Sequence, residues 1–572
     1  MGENGHADLG QEASGATGLA AADVEGRRTG TRMTGGQALV RCLRGQGVDV
    51  IFGLPGVQLD WAFDALYEER GAIRLYHTRH EQAASYMADG YARATGRIGT
   101  CLVVPGPGLL NAMSGLATAF ACSSPVLCIS GQIASKYIGA GRGLLHEIMD
   151  QLAAVRPVAK WTARASRPED IPGVVVEAFR QLRSGHVRPV VIEIPQDVLQ
   201  AIGEVTLPGP VDAERRSADP DAVEAAAKLL GQAERPVIFA GGGVLCSEAW
   251  TSLQSLAEML EAPVIMSSNG RGALSDRHYL AQTMIAGQDL LPPADVVLLV
   301  GTRFLQPALS VWRPRDHQTV IQIDIDPVEI GRNWPAVHGI VADADRALAQ
   351  LLERTPRHNR VRASRRDECV AAKRKVDQAL AVLEPQASYA RAIRQALPDD
   401  GIVVSGLTQL GYWITYGAFP VYRPRTLLTA GYQGTLGFEY GAALGAQVGA
   451  PERRVVAVAG DGGFMYQVQE LATAVRHHIN AIAIVFNDGA YGNVRRTQRE
   501  SFHGHVIASE LHNPDLLKLA EAFGVKAMRA QGPDGLRSAL EAALGDDAPA
   551  LIEVPVGEMP DPWPVIMPGY QP

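Results

Sequence analysis

The chain has 572 residues, of which 47% are hydrophobic and 20% charged, and its formal net charge is −8. These proportions are those of an ordinary globular protein, and the length suggests about three or four domains. The acidic balance leaves no basic surface for nucleic acid, so we predict that nucleic acid is not a partner.

Residues 1–32 are rich in glycine, alanine and acidic residues and have few large apolar side chains, which predicts a disordered tail. This segment also lacks the apolar core of a secretory signal. The cysteines have no metal-ligand spacing and mostly stand in apolar contexts, which favours buried thiols and a reducing, cytoplasmic location. They are Cys42, Cys101, Cys122, Cys128, Cys246 and Cys369.

A first domain is predicted over 33–205, where strand-like and helix-like patterns alternate. Its most apolar stretch, 100–133, comes closest to the length of a membrane span. Pro105, Pro107 and Pro125 interrupt this stretch, so we expect a buried strand, loop, helix and strand there and no membrane segment.

Pro208-Gly209-Pro210 marks a linker to a second domain over 218–355. Residues 356–387 are basic and then of mixed charge, which predicts a solvated connector or surface helix. A third domain over 388–556 precedes a proline-rich C-terminal tail, 557–572. Strands alternate with helices in all three domains, so we predict an α/β fold with three domains, each built on a parallel sheet flanked by helices.

Two acidic turns follow strand-like segments of the third domain. Gly460-Asp461-Gly462 ends the apolar run 455–459, and Asn487-Asp488-Gly489 ends the run 483–486. The carboxyl ends of parallel strands lie at one edge of a sheet, where open α/β sheets bind ligands. Mg²⁺ prefers one or two carboxylates together with substrate phosphates. The pair predicts a site for magnesium and a diphosphate; the alternative is two ordinary strand-to-helix turns.

With these turns and the stretch 464–473, the chain resembles the thiamine diphosphate-dependent enzymes of the acetolactate synthase and pyruvate oxidase group, and the acetolactate synthase large subunit in particular. The family has Asn-Asn where this chain has Asn487-Asp488. The resemblance implies that the three domains are pyrimidine-binding, central and diphosphate-binding. It also implies that Mg²⁺ is bound by Asp461, Asp488 and the backbone carbonyl of Ala490, with Tyr491 next to it at the cofactor.

Glu81 begins a helix-like run in the segment Arg79-His80-Glu81-Gln82. By spacing alone it is a first-turn acid favoured by the helix dipole. This segment and 90–96 resemble the cofactor-activating part of acetolactate synthases. The resemblance implies that Glu81 hydrogen-bonds a pyrimidine nitrogen and so helps the neighbouring imino group to remove the C2 proton of the thiazolium, while the carbanion chemistry belongs to the cofactor.

The segment 432–438 resembles the family segment that bends the cofactor. The resemblance gives Gly434 the carbonyl that accepts from the cofactor amino group and Leu436 the apolar wedge between the two rings. The segment 52–56, which ends at Gly56, resembles the family's glycine turn at the substrate face. His146 lies near the polar substrate-side segment of the family, although a lone histidine is more often structural.

The diphosphate is expected between two loops of the third domain. Thr408 and Gln409 fall where the family binds it and offer hydrogen-bond donors. Gly460, Gly462 and Gly463 offer backbone N–H groups at the start of a helix, which suits a phosphate.

The middle domain contains glycine turns at 241–244, 301–304 and 323–331 that resemble the segments by which acetolactate synthases hold a flavin dinucleotide (FAD). Relatives also keep this domain with another nucleotide or with none, and such turns also serve as plain strand-to-helix connections. The sequence therefore leaves FAD binding open.

Two positions depart from the family pattern for the second keto acid. The family has two acidic residues and an Arg after Arg303-Phe304, whereas this chain has Leu305-Gln306-Pro307, and Thr497 stands in place of a Trp. The missing guanidinium would pair with a carboxylate. Arg313 is a candidate substitute.

The resemblance implies decarboxylation of a 2-oxo acid, most simply pyruvate, and carboligation to a second carbonyl compound, as in branched-chain amino acid biosynthesis. A decarboxylase or aldehyde lyase of the same group is the alternative enzyme, and a degenerate paralogue that binds a partner or nucleotide is the non-enzymatic one. Glu81, Asp461 and Asp488 argue against the last. In the family the first and third domains meet across a subunit interface, which implies a homodimer or homotetramer; the sequence identifies no regulatory subunit.

Overall fold

The computed structural model describes residues 30–212, 214–305, 312–335 and 338–567. Most of the predicted N-terminal tail, the positions Gln306 and Pro307, and the end of the C-terminal tail lie outside these ranges. Each of the three predicted domains contains a six-stranded sheet in which all neighbouring strands run parallel. The prediction of an α/β fold with three such domains is confirmed.

The first domain has the strand order β3-β2-β4-β5-β7-β6, and a small antiparallel sheet, β1-β8, joins its two ends. The apolar stretch 100–133 forms a strand, a helix and a strand, as predicted. The strands are Thr31–Thr34 (β1), Val50–Gly53 (β2), Arg74–His77 (β3), Gly99–Val103 (β4), Val126–Gln132 (β5), Trp161–Arg164 (β6), Val190–Pro195 (β7) and Ile202–Val205 (β8). The α-helices are Gly35–Gly45, Asp60–Glu68, Glu81–Thr95, Pro107–Cys122, Gln151–Val155, Ile171–Arg183 and Gln196–Gln200.

The middle domain has the strand order β11-β10-β9-β12-β13-β14. Its strands are Val237–Ala240 (β9), Val264–Met266 (β10), Ala281–Thr283 (β11), Val296–Val300 (β12), Thr319–Asp324 (β13) and His338–Val341 (β14). Its α-helices are Pro220–Gln232, Gly242–Cys246, Trp250–Leu260, Met284–Leu290 and Ala344–Arg354. The predicted connector 356–387 contains the helix Arg366–Ala381, in which Cys369 is buried. Lys373 of this helix donates from its Nζ to the carbonyl oxygen of Asp276 at 2.7 Å.

The third domain has the strand order β16-β15-β17-β18-β20-β19. Its strands are Ile402–Ser405 (β15), Leu427–Thr429 (β16), Val455–Gly460 (β17), Ile482–Asn487 (β18), Lys526–Arg529 (β19) and Ala550–Pro555 (β20). Its α-helices are Gln386–Ala396, Gln409–Trp413, Phe438–Gly449, Asp461–Phe464, Leu471–His477, Gly492–Ser501, Leu516–Ala522, Gly532–Leu544 and Trp563–Ile566, and a π-helical turn spans Ile414–Ala418. Short 3-10 turns in the chain are Val57–Leu59, Ser135–Tyr137, Arg156–Val158, Pro168–Asp170, Ser268–Gly270, Thr355–Arg357, Gly431–Gln433 and Val468–Glu470.

The first and third domains pack through two helices, Glu81–Thr95 and Phe438–Gly449, that approach closely at glycines. A Cβ on Gly90 would lie 1.9 Å from the carbonyl oxygen of Ala442, and a Cβ on Gly445 would lie 1.9 Å from that of Met87. Only residues without a side chain permit this approach, which fixes how the two domains meet. Within the described ranges, no helix combines the length and the apolarity needed to cross a membrane.

Candidate active site

The two acidic turns of the third domain lie side by side. Strand β17 pairs with β15 on one side and with β18 on the other, and Gly460 stands opposite Phe486 in the ladder. These strands are buried on both faces, as their continuous apolar runs require. Asp461 and Asp488 therefore leave neighbouring strands at the same edge of the sheet.

Asp461 is 2% exposed and begins the short helix Asp461–Phe464. Its Oδ2 accepts from the backbone N–H of Gly489 at 3.0 Å and from the side-chain amide of Asn513. Burial raises the pKa of the Asp461 carboxyl. Burial and the negative charge of Asp461 raise the pKa of Asp488 to about 6. A divalent cation between the two groups would hold both of them ionised, so the pair fits Mg²⁺.

Gln409 links Asp488 to the C-terminal segment. Its amide nitrogen donates to Asp488 Oδ2 at 2.7 Å, and its amide oxygen accepts from the backbone N–H of Met559 at 2.9 Å. Both ends of this side chain are thus bonded to protein. The C-terminal segment also bonds Arg496 through Asp561 at 3.0 Å, so it lies against the helix Gly492–Ser501, which follows Asp488 in the chain.

Residues next to Asp488 complete this edge. The N–H of Ala490 donates to Asp488 Oδ1 at 3.2 Å, and the ring of Tyr491 lies against Gly462, where a Cβ would come 2.6 Å from Tyr491 Cε1. Thr408 Oγ1 accepts from the N–H of Gly411 at 2.8 Å and so caps the helix Gln409–Trp413. Its methyl group faces Gly460.

Glu439 was not predicted from the sequence. It lies beneath two glycines of the site, Gly406 and Gly463, which we call the glycine cradle. It is 2% exposed, and its carboxyl group contacts the positions where a Cβ on Gly406 or Gly463 would stand, at 2.7 and 2.8 Å. Burial raises its pKa to about 7. The available signal is a charged residue in the otherwise apolar helix Phe438–Gly449.

The predicted cofactor-bending segment precedes the same helix. Gly434 has a left-handed backbone (φ 60°), and a Cβ on it would lie 2.9 Å from the side chain of Leu407. Leu436 is half-buried. The neighbouring Thr435 hydroxyl is 3.0 Å from that of Thr118 in the first domain, which ties the segment to that domain.

In the first domain, Glu81 is half-buried at the start of its helix, whose N-terminus is capped by His80. Glu81 Oε2 accepts from the amide of Asn111 at 3.0 Å, and its Oε1 lies 3.4 Å from the Cβ position of Gly108. A Cβ on Gly56 would come 2.5 Å from Val104 in the turn that leads to Gly108. The predicted residues Gly56 and Glu81 thus border one turn.

Family models for thiamine pyrophosphate (thiamine diphosphate) enzymes match the chain in three places. They are the N-terminal TPP binding domain over residues 33–154, the central domain over 223–351 and the C-terminal TPP binding domain over 406–554. The chain belongs to the thiamine pyrophosphate enzyme family.

Several named relatives share nearly the whole length of the chain. A probable acetolactate synthase large subunit of Methanocaldococcus jannaschii is 34% identical, with 94% of each chain covered. A probable 2-ketoarginine decarboxylase of Pseudomonas aeruginosa is 36% identical over 91% of this chain and 94% of its own. The acetolactate synthase isozyme 2 large subunit of Escherichia coli is 32% identical over 94% of this chain and 98% of its own.

In this thiamine pyrophosphate enzyme, residues from each of the three turns singled out for FAD line a cavity of about 690 Å³; from the turn at 323–331 they are residues 323–325. Gly241 and Gly301 approach so closely that a Cβ on Gly241 would lie 2.3 Å from the Gly301 oxygen, and Gly301 itself has φ 54°. Asp324 lines the cavity, and burial raises its pKa to about 6. The glycine-lined wall and the volume fit a dinucleotide.

The positions that depart from the acetolactate synthase pattern occupy different places. Leu305 lines the same cavity, and Arg313 is exposed. The Thr497 hydroxyl donates to the carbonyl oxygen of Asn493 in its own helix at 3.0 Å. Lys160 donates to the carbonyl oxygens of Gln181 and Ser184, both at 2.6 Å, which is a structural role within the first domain.

Proposed function

We propose that this protein uses thiamine diphosphate and Mg²⁺ to decarboxylate a 2-oxo acid, most simply pyruvate, and ligates the product to a second carbonyl compound. This is the transferase reaction of an acetolactate synthase-like enzyme in branched-chain amino acid biosynthesis. The observation that carries the proposal is the pair Asp461 and Asp488. Their two carboxyl groups lie at one edge of the sheet, and burial raises the pKa of both. Such a pair suits a divalent cation with a bound diphosphate.

Each group of site residues has a distinct task. Asp461, Asp488 and the Ala490 carbonyl hold Mg²⁺, while Gly460, Gly462, Gly463, Thr408 and Gln409 surround the diphosphate. Gly434, Leu436, Tyr491 and Gly56 orient the rings. When bound, the cofactor supplies the electron sink for decarboxylation.

Glu81 is the hydrogen-bond partner of a pyrimidine nitrogen of the cofactor in this proposal. Its carboxyl group is fixed by Asn111 at 3.0 Å, so its position does not depend on the substrate. A fixed group that shares a proton with the cofactor costs no reorganisation during reaction.

The working form is a homodimer or homotetramer in which Glu81 of one chain faces Asp461 of its partner. Large apolar side chains are exposed at both halves of the site, which supports this arrangement. In the first domain these are Val57 and Leu145, which are 61% and 62% exposed, and in the third domain Val494 and Phe502, which are 51% and 59% exposed. Sedimentation with and without thiamine diphosphate tests it.

FAD occupies the cavity of about 690 Å³ between the domains in this proposal. The glycine turns at 241–244 and 301–304 supply close backbone approach, which suits a pyrophosphate. Mass spectrometry of cofactors extracted from the purified protein tests FAD against another nucleotide. The proposed location is the cytoplasm, which the free thiols support.

A decarboxylase that releases an aldehyde is the second candidate. This chain has Leu305 and Thr497 at positions where the family has other residues that serve the second keto acid, and this difference favours the decarboxylase. The similarity to a probable 2-ketoarginine decarboxylase favours it as well. Purified protein is incubated with pyruvate, thiamine diphosphate and Mg²⁺. Acetolactate supports the first candidate, and steady CO₂ and aldehyde without acetolactate support the second.

The non-enzymatic alternative is a paralogue that has lost its cofactor. Calorimetric titration with thiamine diphosphate in the presence of Mg²⁺ separates it from both enzymes. Binding that requires Mg²⁺ supports an enzyme, whereas a titration without binding heat supports the paralogue.

A further inference from the structure

The loop that leads into the Glu81 helix is bonded to the third domain of the same chain. The backbone N–H of Arg79 donates to both carboxylate oxygens of Glu470, at 3.2 and 3.1 Å. Glu470 ends the 3-10 turn Val468–Glu470, which follows the helix Asp461–Phe464 in the chain. Because Arg79 stands just before the helix that Glu81 begins, this contact ties the start of that helix to the third domain.

Glu470 is a fully buried carboxyl group, with 0% of the residue exposed. Its Oε2 also accepts from the Thr473 hydroxyl at 2.5 Å. Burial raises the pKa of the Glu470 carboxyl, whereas hydrogen bonds from Thr473 and from the backbone of Arg79 and His80 favour its ionised form. A buried carboxylate is costly unless such donors surround it. The oxygens of Glu470 are therefore committed to the loop of the first domain and to Thr473.

A second buried side chain holds the other side of Glu81. Gln467 is 0% exposed, and its amide nitrogen donates to Gln82 Oε1 at 2.9 Å. The N–H of Gln82 donates to His80 Nδ1 at 3.2 Å, which caps the helix. The third domain thus bonds Arg79 before Glu81 and Gln82 after it, and these bonds restrict the backbone that carries the Glu81 side chain.

The bond from Arg79 depends on the carboxylate chemistry of Glu470. A carboxylate accepts hydrogen bonds at both oxygens, whereas the amide of glutamine has one accepting oxygen and an NH₂ group that only donates. Glu470→Gln would leave one oxygen for the Arg79 N–H and place a donor beside it. The side chain keeps its size, so the substitution weakens the tie to the loop without opening a cavity.

We propose that Glu470 is a positioning residue that acts through Glu81: its carboxylate fixes the loop before the helix and so directs the Glu81 carboxyl group at the cofactor. This rests on the proposed function, in which Glu81 bonds a pyrimidine nitrogen of thiamine diphosphate. Asn111 fixes the Glu81 side chain from within the first domain, and Glu470 fixes the backbone from the third. A misplacement of about 1 Å at a reacting group can lower a rate by about a hundredfold.

The test follows the C2 hydrogen of bound thiamine diphosphate, because its loss depends on Glu81 in the proposed function and requires no substrate. In D₂O the C2 proton leaves to solvent and a deuteron replaces it, and NMR of the acid-quenched cofactor gives the rate. Holoenzyme saturated with thiamine diphosphate and Mg²⁺ is compared for wild type, Glu470→Gln, Glu81→Gln and the double variant. We expect Glu470→Gln to slow the exchange by about tenfold or more. The double variant should match Glu81→Gln within about twofold, because effects that act through one group do not add.

Further variants and a measurement without cofactor separate positioning from loss of fold. Glu521→Gln, on an exposed position of the helix Leu516–Ala522, is the matched control and should keep the wild-type rate. Thr473→Val keeps the carboxylate of Glu470 but removes one of its donors, and should slow the C2 exchange by a smaller factor. In the cofactor-free protein, amide hydrogen exchange followed by mass spectrometry should be faster in the peptide that contains Arg79 for Glu470→Gln.

Unchanged C2 exchange in both Glu470→Gln and Thr473→Val overturns the role of Glu470 alone. A double variant that is about tenfold slower than Glu81→Gln also overturns it, since Glu470 would then act independently of Glu81. Where Glu470→Gln does not fold, Thr473→Val decides between these outcomes. A wild-type protein that binds thiamine diphosphate but exchanges its C2 hydrogen no faster than the free cofactor overturns the proposed function, and the role of Glu470 with it.

Discussion

Glu439→Gln tests whether the carboxyl group beneath the glycine cradle keeps its proton. Burial raises the pKa of Glu439 from 4.5 to about 7. The folded protein then binds this proton more tightly than the unfolded chain does, so stability is lost as pH rises between these two values and the loss is complete above the higher one. At about 1.4 kcal/mol for each pKa unit, the complete loss is about 3 kcal/mol.

Glutamine is neutral at every pH, so Glu439→Gln escapes this loss. Relative to wild type, the free energy of unfolding of the variant should gain about 1 kcal/mol at pH 5.5 and about 3 kcal/mol at pH 8.5. Urea unfolding of the cofactor-free protein at the two pH values measures the difference. Glu541→Gln, on an exposed helix surface, is the matched control and should follow wild type at both.

The same group should affect the cofactor. An ionised Glu439 lies under the expected position of the diphosphate, so wild-type affinity for thiamine diphosphate should fall as pH rises through about 7, while the affinity of Glu439→Gln stays level. Parallel stability curves for Glu439→Gln and wild type between pH 5.5 and 8.5 would refute the reasoning, because they would mean that the buried carboxyl does not titrate in this range.

Three further substitutions test the rest of the site and the packing. Glu81→Gln should leave thiamine diphosphate and Mg²⁺ binding within a few-fold of wild type and lower turnover by orders of magnitude; unchanged turnover removes Glu81 from the mechanism. Asp461→Ala removes one of the two carboxylates proposed to bind Mg²⁺, so calorimetry should show a Mg²⁺-dependent cofactor affinity that is weaker by about tenfold or more, and an unaffected affinity contradicts the metal placement. Gly90→Ala places a carbon 1.9 Å from a backbone oxygen of the facing helix and should destabilise the protein by about 1–3 kcal/mol. Gly173→Ala is its control, because a Cβ there meets open space, and it should be neutral or stabilise the protein by under about 1 kcal/mol. Equal unfolding midpoints for Gly90→Ala and Gly173→Ala would contradict the close approach of the two helices.

The parts of the site that were visible in the sequence are those in which chemistry and local structure share one short segment. The run 455–459 is apolar throughout because β17 is buried on both faces, and Asp461 follows it directly. Asp488 follows β18 in the same way. A parallel sheet brings such strand ends to one edge, so local patterns were sufficient to predict that the two acids lie together.

The parts that were not visible depend on contacts between distant segments. Asn513, which bonds Asp461, stands in a loop with no motif of its own. Gln409 was predicted from its position as a donor to the diphosphate, but the hydrogen bond from its amide nitrogen to Asp488 could not be read from that position. The carboxyl group of Glu439 lies against Gly406 and Gly463, which belong to two other loops. Residue type limits what each side chain can do, but the packing of helices on the sheet decides which partner it meets.

The separation of Glu81 and Asp461 into different domains has a thermodynamic consequence. The carboxylate of Glu81 contacts Asn111 of its own domain, and that of Asp461 contacts Gly489 and Asn513 of the third domain. If one cofactor bridges these halves across two chains, its binding energy is also association energy, because both chains contribute contacts to it. Apparent cofactor affinity must then fall on dilution. A site completed within one chain would bind the cofactor with an affinity independent of protein concentration, so the two architectures differ in a quantity that requires no knowledge of the substrate.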